Sequence, residues 1–165
     1  MGAGIDIDEM NYTFPFNGFT IYVTEALKNG PGFSQAVDME GNMAEYNVNE
    51  KGIRDDLVVV VGSDAFGSGE ETLGKSLMKT CLYSMAEADV KPHAMIFINS
   101  GVFLTVEDSP VLDHLHALAE AGVEIYSCGA CLDYYGLADK LAAGEVTNMY
   151  SVVELMNSSG SVIKL

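Results

Sequence analysis

The 165 residues (17.7 kDa) suit one domain of ordinary size with a small appendage, and an apolar fraction of 48% is enough to build a core. With 24 acids against 8 bases the net charge is −16, which argues against nucleic acid or an anionic membrane surface as a partner, since both are negatively charged themselves. No run is long enough for a membrane span, the segment Met1-Gly2-Ala3-Gly4 with Asp6, Asp8 and Glu9 has neither half of a signal peptide, and three cysteines make no disulfide scaffold, so a cytoplasmic location is expected.

Residues 1–54 are expected to form an acidic arm or a small strand appendage; the first 56 residues hold ten acids and three bases. Turn signals are dense there, at Asn17-Gly18, Asn29-Gly30-Pro31-Gly32 and Glu40-Gly41-Asn42. Phe19, Ile21 and Val23 alternate with Thr20 and Tyr22, which predicts a short strand, and Ala44 to Val48 suggests another. Leu57–Val61 is a continuous, mostly β-branched run, as in a strand buried on both faces. After the loop Gly62–Gly69, the spacing of Leu73, Leu77, Met78, Cys81, Leu82 and Met85 predicts a helix from Glu70 to Ala88. Ala94–Ile98 reads as a second strand, and a third apolar piece, Val102–Thr105, leads to Asp108-Ser109-Pro110. Ser109 suits an N-cap with Pro110 opening a helix whose stripe is Val111, Leu115, Leu118 and Ala119 and whose stop is Gly122. Val123–Ser127 (strand), Leu132–Leu141 (helix), Glu145–Met149 (strand), Ser151–Met156 (helix) and Ser161–Leu165 (strand) complete a β-α alternation. That alternation predicts a mainly parallel sheet with helices on both faces.

In such a sheet the ligand crevice lies at the carboxyl ends of the strands. Those ends supply the candidate pocket residues Gly62, Ser63, Asp64, Asn99, Ser100, Gly101, Gly129 and Asn148. Around them stand two thiols, Cys128 and Cys131, in a C-x-x-C at a strand-to-helix junction. Unpaired N–H groups at a helix start favour a thiolate, while Asp133 opposes it; the alternative is two buried cysteines packed as small hydrophobes. A structural zinc would need two more ligands. Cys81 lies on a helical stripe and the histidines His93, His114 and His116 are scattered, so neither metal nor cofactor is expected. The run Gly69-Glu70-Glu71-Thr72-Leu73-Gly74-Lys75-Ser76 fits the phosphate-loop pattern G-x-x-x-x-G-K-[ST]. However, the strand ends near Val61, well before it, and Glu70 and Glu71 would face the phosphates. The preferred reading makes them first-turn acids of a helix, with Lys75 and Lys79 on a solvated face. Tyr134 and Tyr135 either wall the thiol pocket or pack the helix.

Four motifs stand out: Val-Gly-Ser-Asp-x-x-Gly-Ser-Gly-Glu-Glu-x-Leu-Gly-Lys at 61–75, Phe97-Ile98-Asn99-Ser100-Gly101-Val102 with Leu104-Thr105, Ser127-Cys128-Gly129-Ala130-Cys131-Leu132-Asp133-Tyr134-Tyr135-Gly136-Leu137, and Gly144–Tyr150. Together they resemble the DsrE/F-like domain of the YedF type, a sulfurtransferase-like group linked with selenium metabolism. The resemblance covers residues 55–165 and implies a flavodoxin-like three-layer α/β fold and a homo-oligomer (trimer, hexamer or dimer). It further implies a persulfide-carrying cysteine after the third main strand, the place of Cys128, with Cys131 as the additional thiol. Proteins of this type are expected to begin with a TusA-like domain bearing Cys-Pro-x-Pro, whereas this sequence has no cysteine before Cys81, so any sulfur donor would be another protein. The expectation is a sulfur (or selenium) carrier relaying sulfane sulfur on Cys128, between donor and acceptor proteins. A thiol–disulfide redox protein using the same pair and a non-catalytic oligomeric binding subunit are the alternatives.

Overall fold

The computed structural model describes residues 12–16, 19–23, 35–36 and 48–165. The chain divides into two compact units, Met1–Tyr46 and Asn47–Leu165. In the first, β1 (Tyr12–Phe16), β2 (Phe19–Val23) and β3 (Gln35–Ala36) form an antiparallel sheet in that order. Phe16 pairs with Phe19, so only Asn17-Gly18 separates the first two strands, the dipeptide that two-residue hairpins favour. The strand expected at Phe19–Val23 is thus β2. The one expected over 44–48 falls outside the described residues except for Val48, which forms an isolated bridge with Arg54.

The second unit carries a five-stranded, all-parallel sheet in the order β7-β6-β5-β4-β8. Its strands are β4 (Ile53–Val61), β5 (Lys91–Phe97), β6 (Glu124–Cys128), β7 (Glu145–Thr147) and β8 (Ser161–Lys164). The helices are α1 (Glu71–Glu87), α2 (Leu112–Ala121), α3 (Gly129–Tyr135) and α4 (Met149–Ser158). The continuous apolar runs make sense because both faces of the central strands are buried. Val59, Val61, Met95, Phe97 and Ile125 face Met78, Leu82, Leu115, Leu118 and Leu132 of α1, α2 and α3. Val58, Val60, Ala94 and Ile96 face the other way, onto Val152, Leu155 and Met156 of α4. The result is the three-layer α/β arrangement that the alternation predicts.

Four local expectations change. The helix over Glu70–Ala88 forms, but its inward stripe is Gly74, Met78 and Leu82, while Leu73 and Leu77 stand 58% and 45% exposed. The helix turns this way because the preceding loop docks on it. Phe66 N–H donates to the Gly74 carbonyl (2.9 Å), and a Cβ on Gly74 would meet Ala65 Cβ at 2.9 Å. Ser109 does not cap a helix at Pro110. Its carbonyl accepts the Leu112 N–H (3.4 Å) in a tight turn, and α2 starts only at Leu112. The helix expected over Leu132–Leu141 instead begins at Gly129 and stops at Gly136, whose φ of 66° suits glycine; Ala138–Lys140 is a separate 3-10 turn. Finally, β7 stops at Thr147, because Asn148 caps α4: its Oδ1 accepts the Ser151 N–H at 3.1 Å.

Candidate functional site

The sheet's carboxyl edge is assembled by close backbone contacts. Ile98 N–H donates to the Val61 carbonyl (3.0 Å), and Gly62 N–H to the Leu165 carbonyl (3.2 Å). The chain then enters a 3-10 turn, Asn99–Leu104, which passes so near β4 that a Cβ on Gly101 would stand 2.3 Å from the Val61 oxygen. Only glycine permits that approach, and it brings Asn99 and Ser100 to the end of β4. Ser63 Oγ accepts the Ala65 N–H (3.1 Å) and closes the loop on itself.

Asp64 turns to Lys75 (3.4 Å), whose ammonium also meets Glu71 at 2.7 Å. Glu71 first, then Asp64, hold the Lys75 pKa above its ordinary value. Glu70 is the N-cap of α1: its carboxylate accepts the Leu73 N–H at 2.7 Å, and this bond and one from Thr72 hold its pKa below the ordinary value. The phosphate-loop look-alike is therefore a capped helix start whose lysine is occupied by its own chain's carboxylates. Lys75, Lys79 and Lys140 edge a groove of about 380 Å³ walled by Phe103, Val106 and Leu137.

Cys128, the last residue of β6, is buried and occupies the N-cap position of α3; Cys131, one turn on, is partly buried. Both are free cysteines, and Cys128 is near enough to influence the Cys131 thiol. Asn99 N–H donates to Cys131 Sγ at 3.1 Å. Burial pushes the Cys131 thiol pKa up, the neighbouring Cys128 adds to this, and the Asn99 N–H pulls it the other way. The Tyr135 hydroxyl donates to Asn99 Oδ1 (2.9 Å), and its ring packs 4.7 Å from that of Phe103. Tyr135 is thus a wall of the thiol site, whereas Tyr134 is 83% exposed. Behind the thiols, Thr105 and Ser127 join their buried hydroxyls at 2.8 Å.

Of the residues singled out from sequence, Cys131 and Asn99 come into direct contact, and Cys128 adjoins them at the N-cap of α3. Gly62, Ser63, Ser100 and Gly101 form the adjoining strand ends. Gly129 packs on β7, where an added Cβ would stand 3.0 Å from Val146 Cγ1. Asp64 is drawn to Lys75. Asn148 caps α4 and lines, with Ile96, Tyr126, Thr147, Tyr150 and Leu155, a groove of about 650 Å³ between α4 and the sheet. Sequence reasoning missed Phe103, whose place in the apolar run Val102–Leu104 marks it as core although its ring reaches Tyr135. It also missed the bond from Tyr135 to Asn99, which nothing local announces.

The histidines have ordinary partners: His93 faces Glu124 (3.6 Å), His114 stacks edge-on to Tyr83, and His116 Nε2 meets the Ala142 carbonyl (3.0 Å). Among the described residues no group of three or more His, Cys, Asp or Glu side chains is placed to hold a metal ion. Nor, among the described residues, is any helix long and apolar enough to cross a membrane.

Comparison with known proteins adds a family. The profile of the DsrE/DsrF-like family matches residues 55–165. A search of the curated proteins gave no match. Among solved structures, the chain is similar to the ychN protein from E. coli (14% identity, 67% of this chain and 99% of that one, TM-score 0.46). It is also similar to BT1422 from Bacteroides thetaiotaomicron, a conserved protein of unknown function (14% identity, 67% and 95%, TM-score 0.47).

Proposed function

The chain belongs to the DsrE/DsrF-like family, generally associated with sulfur relay, and from that premise we propose that it carries sulfane sulfur (or selenium) as a persulfide on Cys128. The observation that supports this reading is the placement of two free cysteines at the carboxyl edge of a parallel sheet, one buried at the end of β6, the other held by a main-chain N–H. In the loading step the Cys128 thiolate attacks the outer sulfur of a donor persulfide, R–S–SH. A Cys128–S–SH bond forms, the R–S bond to that sulfur breaks, and R–S⁻ leaves with the electron pair. In unloading, either an acceptor thiolate takes the outer sulfur, or the Cys131 thiolate attacks the inner sulfur, giving the Cys128–Cys131 disulfide and releasing HS⁻. Neither route needs an oxidant.

Donor and acceptor are other proteins in this reading, and the chain works as a homo-oligomer. Exposed Val146, Met149, Tyr150 and Val153 on β7 and α4, and Val162 and Ile163 on β8, offer apolar surface for such contacts. A cysteine desulfurase with cysteine as substrate tests the proposal. Peptide masses should show added sulfur on Cys128, removable by reductant and absent from Cys128→Ser. An active donor that leaves both cysteines unmodified would overturn it.

Two free thiols at the start of one short helix also suit a second reading, thiol–disulfide exchange without carried sulfur. That reading gains if oxidation yields the Cys128–Cys131 disulfide reversibly while the desulfurase adds nothing.

A further inference from the structure

Asn99 and Asp108 are the non-glycine residues with positive φ among those described, at 52° and 63°. Left-handed backbone at a non-glycine residue is uncommon, though asparagine tolerates it better than most, and it persists where neighbouring contacts hold it. At Asn99 those contacts come from one face of α3. Cys131 and Tyr135 are four residues apart on that helix and so lie one above the other. Cys131 takes the Asn99 main-chain N–H on its sulfur at 3.1 Å, and the Tyr135 hydroxyl takes the Asn99 side-chain oxygen at 2.9 Å. Phe103, from the same 3-10 turn as Asn99, packs against the Tyr135 ring. Tyr135 is therefore gripped twice by one turn, and the turn presents its N–H to a sulfur.

We propose that Asn99 is a positioning residue of the thiol pair: fastened by Tyr135, it aims its main-chain N–H at Cys131 and holds that sulfur beside Cys128 as the resolving thiol. The inference rests on the reading of Cys128 and Cys131 as working thiols and assigns them different parts. Cys128 has no such donor from Asn99. Cys131 receives a hydrogen bond that favours its thiolate, the form it needs to attack a sulfur on Cys128. That bond acts against burial and the neighbouring Cys128, which both favour the protonated thiol. Without it, Cys131 ionises at higher pH.

The test is alkylation of the full chain by iodoacetamide across a pH series, with fragment masses assigning the label to Cys128 or Cys131. Tyr135→Phe removes the hydroxyl and keeps the ring. Asn99→Gly keeps the N–H and the left-handed backbone but loses the side chain that Tyr135 grips. In either variant the midpoint of the Cys131 profile should move to higher pH, slowing its alkylation roughly three- to ten-fold at about pH 8, with Cys128 changing less than two-fold. The double variant should fall no further than the stronger single one, because Tyr135 acts through Asn99. Faster labelling of both thiols together would mean the contacts merely keep the turn closed, and that result, or an unmoved Cys131 midpoint, overturns the proposal. Alkylation requires no sulfur donor, so failure of desulfurase loading would refute the carrier reading and leave this measurement standing on its own.

Discussion

Thr105 and Ser127 are both fully buried, and each depends on the other. Thr105 Oγ1 gives its proton to the Val102 carbonyl (3.0 Å), so Ser127 must be the donor in the 2.8 Å contact between the hydroxyls. The Thr105 carbonyl in turn accepts the N–H groups of Ala142 and Ala143. The pair pins the turn after β5 to the strand position just before Cys128. Thr105→Val strands the Ser127 hydroxyl without a partner and should cost about 1–3 kcal/mol in urea denaturation. Ser127→Ala should cost less, since Thr105 keeps its bond to Val102; the reverse order would refute the donor assignment. Such a pair is invisible in sequence, because its members lie 22 positions apart in two different apolar runs. The C-x-x-C was legible because its two sulfurs sit within one helical turn. The third member, Asn99, was legible only as a strand-end residue, since its contact with Cys131 depends on a left-handed backbone that no spacing rule foretells.

At the level of elements, strands and helices were readable wherever a long apolar period existed, and boundaries failed where a single contact overruled it. Helix α1 shows both outcomes. Its span follows from the period and Met78, Leu82 and Met85 of the expected stripe do pack inward, but Leu73 and Leu77 do not, because Gly74 reads as a neutral position and in fact marks where the loop docks. Val102–Leu104, too short to carry a period, turned out to be a 3-10 turn. The start of α1 rests on Glu70, whose carboxylate caps the Leu73 N–H and titrates below its ordinary range. A depressed folded-state pKa means that the capping contribution is complete above the unfolded-state value and is lost as pH falls through the folded one. Glu70→Ala should therefore lower the melting temperature at neutral pH, and its deficit relative to wild type should shrink on acidification. A deficit that does not change with pH would show that the ionised carboxylate is not what caps the helix.

Across the whole molecule the net charge of −16 is unevenly spread: ten acids fall within the first 56 residues, while the strand ends carry only Asp64, already paired with Lys75. The thiol edge thus carries few acids, Asp133 of α3 being the one nearest the two cysteines in the chain. On the proposed function, a donor protein would be drawn in by a basic face, and such steering is screened beyond a Debye length of about 10 Å at 0.1 M salt. Desulfurase loading of Cys128 should slow several-fold as salt rises from about 20 to about 300 mM. A rate indifferent to salt would exclude charge-guided docking. The strand order has a consequence for how this protein is made. β4 is an interior strand, yet one of its two neighbours, β8, is synthesised long after it; Arg54 and Ser161, which meet across that pairing, are 107 positions apart. Until β8 emerges from the ribosome, the run Val58–Val61 has an unpaired edge, and parallel pairing at such separation is slow. The nascent chain therefore passes through a stage in which this apolar, β-branched run is open, and a net charge of −16 opposes association between neighbouring chains during that interval.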